Sequence, residues 1–139
     1  MRLFIPSFIS KLSANPKKLF LIDCLGATLS ASFLTIIYFN FQENIGLPKY
    51  AISYLIIIAL CCAIYSFLCY LLIRSNWLKY ISGVIIANLF YLIFTSAQVV
   101  FYYKQLKIYG WIYFCLDILV ISLVIYIEWK IYKILKSKR

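Results

Sequence analysis

Four long apolar runs separated by short polar breaks set the layout of the chain. The runs 19–39, 50–73, 80–103 and 109–130 each meet the roughly 20 residues needed to cross the hydrocarbon core of a bilayer. The first break, NFQENIGLPK, holds Glu43 and Gly46-Leu47-Pro48, which read as a true connection rather than a kink. The second, from Arg74 to Lys79, carries Trp77 as an interfacial anchor. Lys104 and Lys107 close the third run, and Gly110-Trp111 opens the fourth. Ahead of all four, Phe4, Ile5, Phe8, Ile9 and Leu12 recur at helical spacing, with Arg2, Ser7, Ser10 and Lys11 between them. That pattern predicts a short amphipathic helix in the headgroup region, broken by Asn15-Pro16. A secretory signal fits less well, because the apolar run is short and no small-x-small cleavage site follows.

Composition agrees with the pattern. A chain of 139 residues that is 65% hydrophobic and 13% charged belongs to the integral membrane class. The expected fold is an all-α bundle of four transmembrane helices in up-down order. The expected division is an interfacial segment over 1–18, a transmembrane domain over 19–131 and a basic tail over 132–139. A net charge of +10 would suggest nucleic acid in a soluble protein. Here the basic residues cluster at segment ends, so no nucleic-acid partner is expected and the lipid bilayer is the partner that remains. Eleven basic residues fall on one side (Arg2, Lys11, Lys17, Lys18, Arg74, Lys79, Lys130, Lys133, Lys136, Lys138 and Arg139). Only Lys49, Lys104 and Lys107 fall on the other. This bias predicts cytoplasmic N and C termini in a bacterial inner membrane.

Few residues are left for chemistry. Cys24, Cys61, Cys62, Cys69 and Cys115 all lie inside apolar runs without a CxxC pair and read as small buried hydrophobes. Histidine is absent and the acids number four, so no metal site or cofactor is expected. The outstanding residue is Asp117, a carboxylate in the middle of the fourth run, where it must face protein or water. Asn88, reckoned at about 12 Å from its own end of the third span as Asp117 is from its end of the fourth, is its expected partner, with Tyr91 and Tyr65 as competitors. Tyr113 shares a face with Asp117 and Glu128. The candidate intramembrane site is therefore Asp117, Asn88, Tyr91, Tyr65 and Tyr113, with Asp23 and Glu128 as interfacial acids. Asp117 reads equally as a protonatable relay and as a packing hydrogen bond between helices. Gly26, Ala27, Ser30 and Ala31 recur at spacings of three and four, which suits close approach of a neighbouring helix. Most of the thirteen tyrosines sit where aromatic belts form.

The segments LIDCLGA (21–27), GLP (46–48), AIYSFLCY (63–70), NW (76–77), ANLFYLIFT (87–95) and GWIYFCLD (110–117) together resemble a group of small four-span membrane proteins of the Bacteroidetes type. Cys24 stands where that group has a small residue, and Asp117 where it has glutamate. The resemblance implies a bacterial inner-membrane protein with Asp23, Asn88, Asp117 and Glu128 as its polar positions. It implies no substrate. The expected function is a non-enzymatic accessory or interaction subunit, with a membrane protein partner or a homo-oligomer. The alternatives are a small carrier or proton-linked transporter using Asp117, and a membrane-embedded enzyme acting on a lipid or quinone.

Overall fold

The computed structural model describes residues 4–137, apart from the side chains of Phe4, Ile5 and Ser13. Arg2, Lys138 and Arg139, counted above for orientation, lie outside the described residues, as do the side chains of Phe4 and Ile5 assigned to the apolar face. The described elements are α1 (Phe4–Ala14), α2 (Pro16–Ile36), a π segment (Ile37–Phe41), α3 (Gln42–Ile45), α4 (Lys49–Leu72), α5 (Trp77–Phe101) and α6 (Ile108–Ser137). The fold is an all-α bundle. Four stretches are long and apolar enough to cross a membrane: Pro16–Ile45, Lys49–Leu72, Trp77–Phe101 and Ile108–Ser137. The chain is thus organised as a multi-pass membrane protein.

Local chemistry sets the boundaries. Pro16 opens α2 at the first helical position, where its missing N–H would have had no partner anyway. Gly46 ends α3 with φ of 94°, a left-handed cap that glycine adopts at little cost. Its amide donates to the Gln42 carbonyl at 3.0 Å. Asn76, at φ of 60°, makes the turn before α5; asparagine is among the few side chains that enter this region readily. Two boundaries move outward from the sequence expectation. The first span continues through the π segment and α3, and α6 runs through most of the segment read as a basic tail.

Packing follows chain order and then stops short of closure. α2 packs on α4, α4 on α5 and α5 on α6, but α6 and α2 hardly touch. The ring of four is incomplete. At the end that carries the termini, α1 closes the gap by packing on both α6 and α2. At the opposite end, the loop end, the Lys107 amide donates to the Ile45 carbonyl at 3.0 Å, tying α3 to the start of α6. Gly110 permits that approach, since a Cβ there would run into the same carbonyl.

The buried apolar residues form two clusters. One, towards the loop end, centres on Leu34, Leu47, Ile52, Leu55 and Phe114. The other, towards the termini, joins Leu12, Phe20, Cys69, Ile81 and Ile131. Leu25, Phe33, Leu72, Ile93 and Leu119 point outward and are exposed, the arrangement that hydrocarbon surroundings favour. Between the two clusters lies a polar layer.

Candidate functional site

Each of the four spanning helices contributes one polar side chain to this layer: Asp23 from α2, Ser66 from α4, Asn88 from α5 and Glu128 from α6. Asp23 lies about two turns inside α2 and is 7% exposed, while Glu128 is fully enclosed. The Ser66 hydroxyl donates to Asp23 Oδ2 in a short contact. Asn88 Nδ2 donates to Asp23 Oδ1 at 2.9 Å and to both oxygens of Glu128 at 3.0 Å. One amide therefore bridges two carboxyl groups, which are also within hydrogen-bonding reach of each other. None of these hydrogen bonds comes from a lysine or arginine. A charge in such a place is tolerated only when paired or neutralised, and two adjacent carboxylates resist ionising together. The arrangement suits a pair that shares one proton.

A cavity of about 160 Å³ opens beside the pair, roughly the size that takes a single aromatic ring. Asp23, Asn88 and Glu128 form its polar end. Its walls are otherwise apolar, with Val120, Val124 and Ile127 on α6 facing Ile22 on α2, and Phe8 and Leu12 of α1 at the terminal end. Among the described residues, no basic one lines it. Ile22 and Val120 are both exposed and mark the mouth, which lies in the gap between α2 and α6. The cavity thus opens sideways, towards the surface that meets lipid. Gly26, Ala27 and Ser30 also line it. Of the small residues on this helix, Ala31 is buried in the core that α2 shares with α4. Gly26 instead leaves room, and nothing lies within 4 Å of where a Cβ there would stand.

The residues expected to form one site divide into two groups. Asn88 joins Asp23 and Glu128, the two acids read as interfacial, and both carboxyls are enclosed within the bundle. Asp117 takes its hydrogen bond from the Tyr91 hydroxyl at 3.2 Å, not from Asn88. Each of the two lies about 12 Å from the N-terminal end of its own span. Because α5 and α6 run in opposite directions, those distances place the two on opposite sides of the midplane. Tyr113 lies one turn from Asp117, half-buried. Tyr65 lies apart from both groups, its hydroxyl directed at the Tyr80 carbonyl at 3.4 Å over the bare face of Gly83. Ser66 went unnoticed in the sequence, because a lone serine in an apolar run carries no signal of its partner.

Among the described residues, no group of three or more Cys, His, Asp and Glu side chains stands together as a metal site would require. All five cysteines are free thiols. Comparison of the chain with family models, curated proteins and solved structures finds no match, so the chemistry of the site rests on its own residues.

Proposed function

We propose that the protein is a small membrane carrier that binds an apolar organic monocation against the Asp23–Glu128 pair in exchange for one of the two protons of the neutral pair. The observation that carries this reading is the enclosed acid pair, bridged by Asn88 at one end of a cavity with apolar walls and, among the described residues, no basic one. Loss of one proton from the fully protonated pair leaves one shared proton and one negative charge, which a bound monocation neutralises. The apolar walls suit the body of such a molecule, and the gap between α2 and α6 admits it from the bilayer. The acid pair thus replaces Asp117 as the ligand-binding carboxylate of the carrier alternative. The eleven-to-three bias of basic residues supports cytoplasmic termini in a bacterial inner membrane, with the pair nearer the cytoplasmic face.

Equilibrium dialysis of the purified protein in detergent against benzyltrimethylammonium, a monocation with one aromatic ring, tests the reading. The wild type is expected to bind one cation per chain, and more weakly as pH falls, since protons compete for the pair. Asp23→Asn combined with Glu128→Gln should lower affinity at least about 30-fold, from a loss of about 2 kcal/mol or more. Equal binding by that variant would end the proposal.

A second reading, the accessory subunit, draws support from α6. Only 11% of its most apolar stretch is buried, against 22% to 33% in the other three spans. A partner helix seated there would give native mass spectra with a fixed stoichiometric companion, whereas the carrier reading expects a chain that retains a small cation.

A further inference from the structure

The second polar group of the bundle has no place in the cation site, yet it is continuous with it. On α5, Asn88, Tyr91, Thr95, Gln98 and Tyr102 follow one another at steps of three and four residues, so they share one face of the helix. This face runs from the acid pair to the loop end, about 21 Å along the axis. Tyr91 lines the cavity and also donates to Asp117. At the far end, the Tyr102 hydroxyl meets that of Tyr50 at 2.6 Å. Between these points, Thr95 Oγ1 and Gln98 Oε1 are buried, and neither completes a well-formed hydrogen bond among the described residues. Thr95 is fully enclosed and lies within hydrogen-bonding reach of the Tyr91 phenol.

Buried polar atoms are almost always served by a partner, and water is the usual one when protein supplies none. The spacing fits. A single water joins two oxygens about 5.5 Å apart, and the climb is about 4.5 Å from Thr95 to Gln98 and about 6 Å from Gln98 to Tyr102. Asp117, Tyr91, Thr95 and Gln98 offer the two to four polar neighbours that an enclosed water needs.

We propose that this face of α5, with Asp117, is a hydrated proton path joining the Asp23–Glu128 pair to the loop end of the bundle. Asp117 is its way station, able to accept a proton from the cavity side through Tyr91 and release it towards Thr95. Hydroxyls and water relay a proton by taking one and giving another, while the amide of Gln98 orients the water beside it. The Tyr50–Tyr102 pair forms the exit. The purpose of the path rests on the carrier reading, since a proton displaced by a cation needs a route to the other side. Its existence does not.

Proton entry into liposomes carrying a trapped pH dye tests this, under two separate drives. One is a potassium diffusion potential set with valinomycin, and the other is a gradient of benzyltrimethylammonium. The wild type should move protons under at least one drive. Thr95→Val with Gln98→Leu, and separately Asp117→Asn, should lower the flux at least tenfold while melting temperature and cation binding in detergent stay near wild type. Thr95→Ser, which keeps the hydroxyl, should keep the flux. Undiminished flux in the Thr95→Val, Gln98→Leu variant, or no wild-type flux under either drive, would overturn the path. Cation binding that fails while potential-driven flux persists and depends on these residues would sink the carrier reading and leave the path standing.

Discussion

Asn88 holds together what would otherwise fall apart. Its amide is the shared donor to two carboxyl groups, and the loss of a donor to buried charged acceptors costs about 2 kcal/mol or more. Asn88→Ala should therefore lower stability in detergent by at least that much, read from unfolding curves. Adding Glu128→Gln should recover part of the loss, because one of the opposed carboxyls is gone and its amide can donate to Asp23. A coupling near zero between the two substitutions would show that the bridge does not hold the pair. The sequence named Asp23, Asn88, Glu128, Asp117 and Tyr91 as the polar positions of the spans, since polar groups at such depth are few. It did not give their pairing. Pairing depends on the stagger and direction of neighbouring helices, and a residue count along one helix carries neither.

The elements were more legible than the contacts, because length and hydropathy decide a span within one helix. The limits were set by turn chemistry, and Gly46 shows how strictly. Its φ of 94° penalises any side chain, and a Cβ there would collide with the Gln105 carbonyl, which is backbone and cannot swing aside. Gly46→Ala should cost about 2 kcal/mol or more, combining the left-handed penalty with a displaced loop. Gly83→Ala meets the hydroxyl end of the Tyr65 ring rather than backbone and should cost less, as the ring can shift. Gly26→Ala meets nothing within 4 Å and should gain up to about 1 kcal/mol from helix propensity. Melting temperatures of the three variants, ranked Gly26→Ala above Gly83→Ala above Gly46→Ala, check this order. What the elements concealed was the use of the small residues on α2. A run of glycine, alanine and serine at helical spacing is the same in sequence whether it admits a neighbouring helix or keeps a cavity clear.

At the scale of the whole molecule, the bundle is a ring of four with one gap, and α1 covers the terminal end of that gap. The amphipathic pattern of the first residues foretold a helix, and its described apolar residues are turned to α6 and α2: Ile9 and Leu12 are buried, and Phe8 and Leu12 reach the cavity wall. α1 is 11 residues long and joined to α2 through Asn15, with Pro16 interrupting the helix. An element this short, hinged at a proline, can open locally without the rest unfolding. Leu12→Ala removes a side chain that is 3% exposed, a change that costs about 2 to 5 kcal/mol in a packed core. If α1 is a separable cover, that loss falls on its docking alone. Hydrogen exchange should then quicken across α1 while α4 and α5 keep their protection, the main melting transition should stay within a few degrees, and a bound cation should leave faster. Loss of protection throughout the bundle would instead make α1 part of the cooperative core, and the gap between α2 and α6 would have to be a fixed opening rather than a covered one.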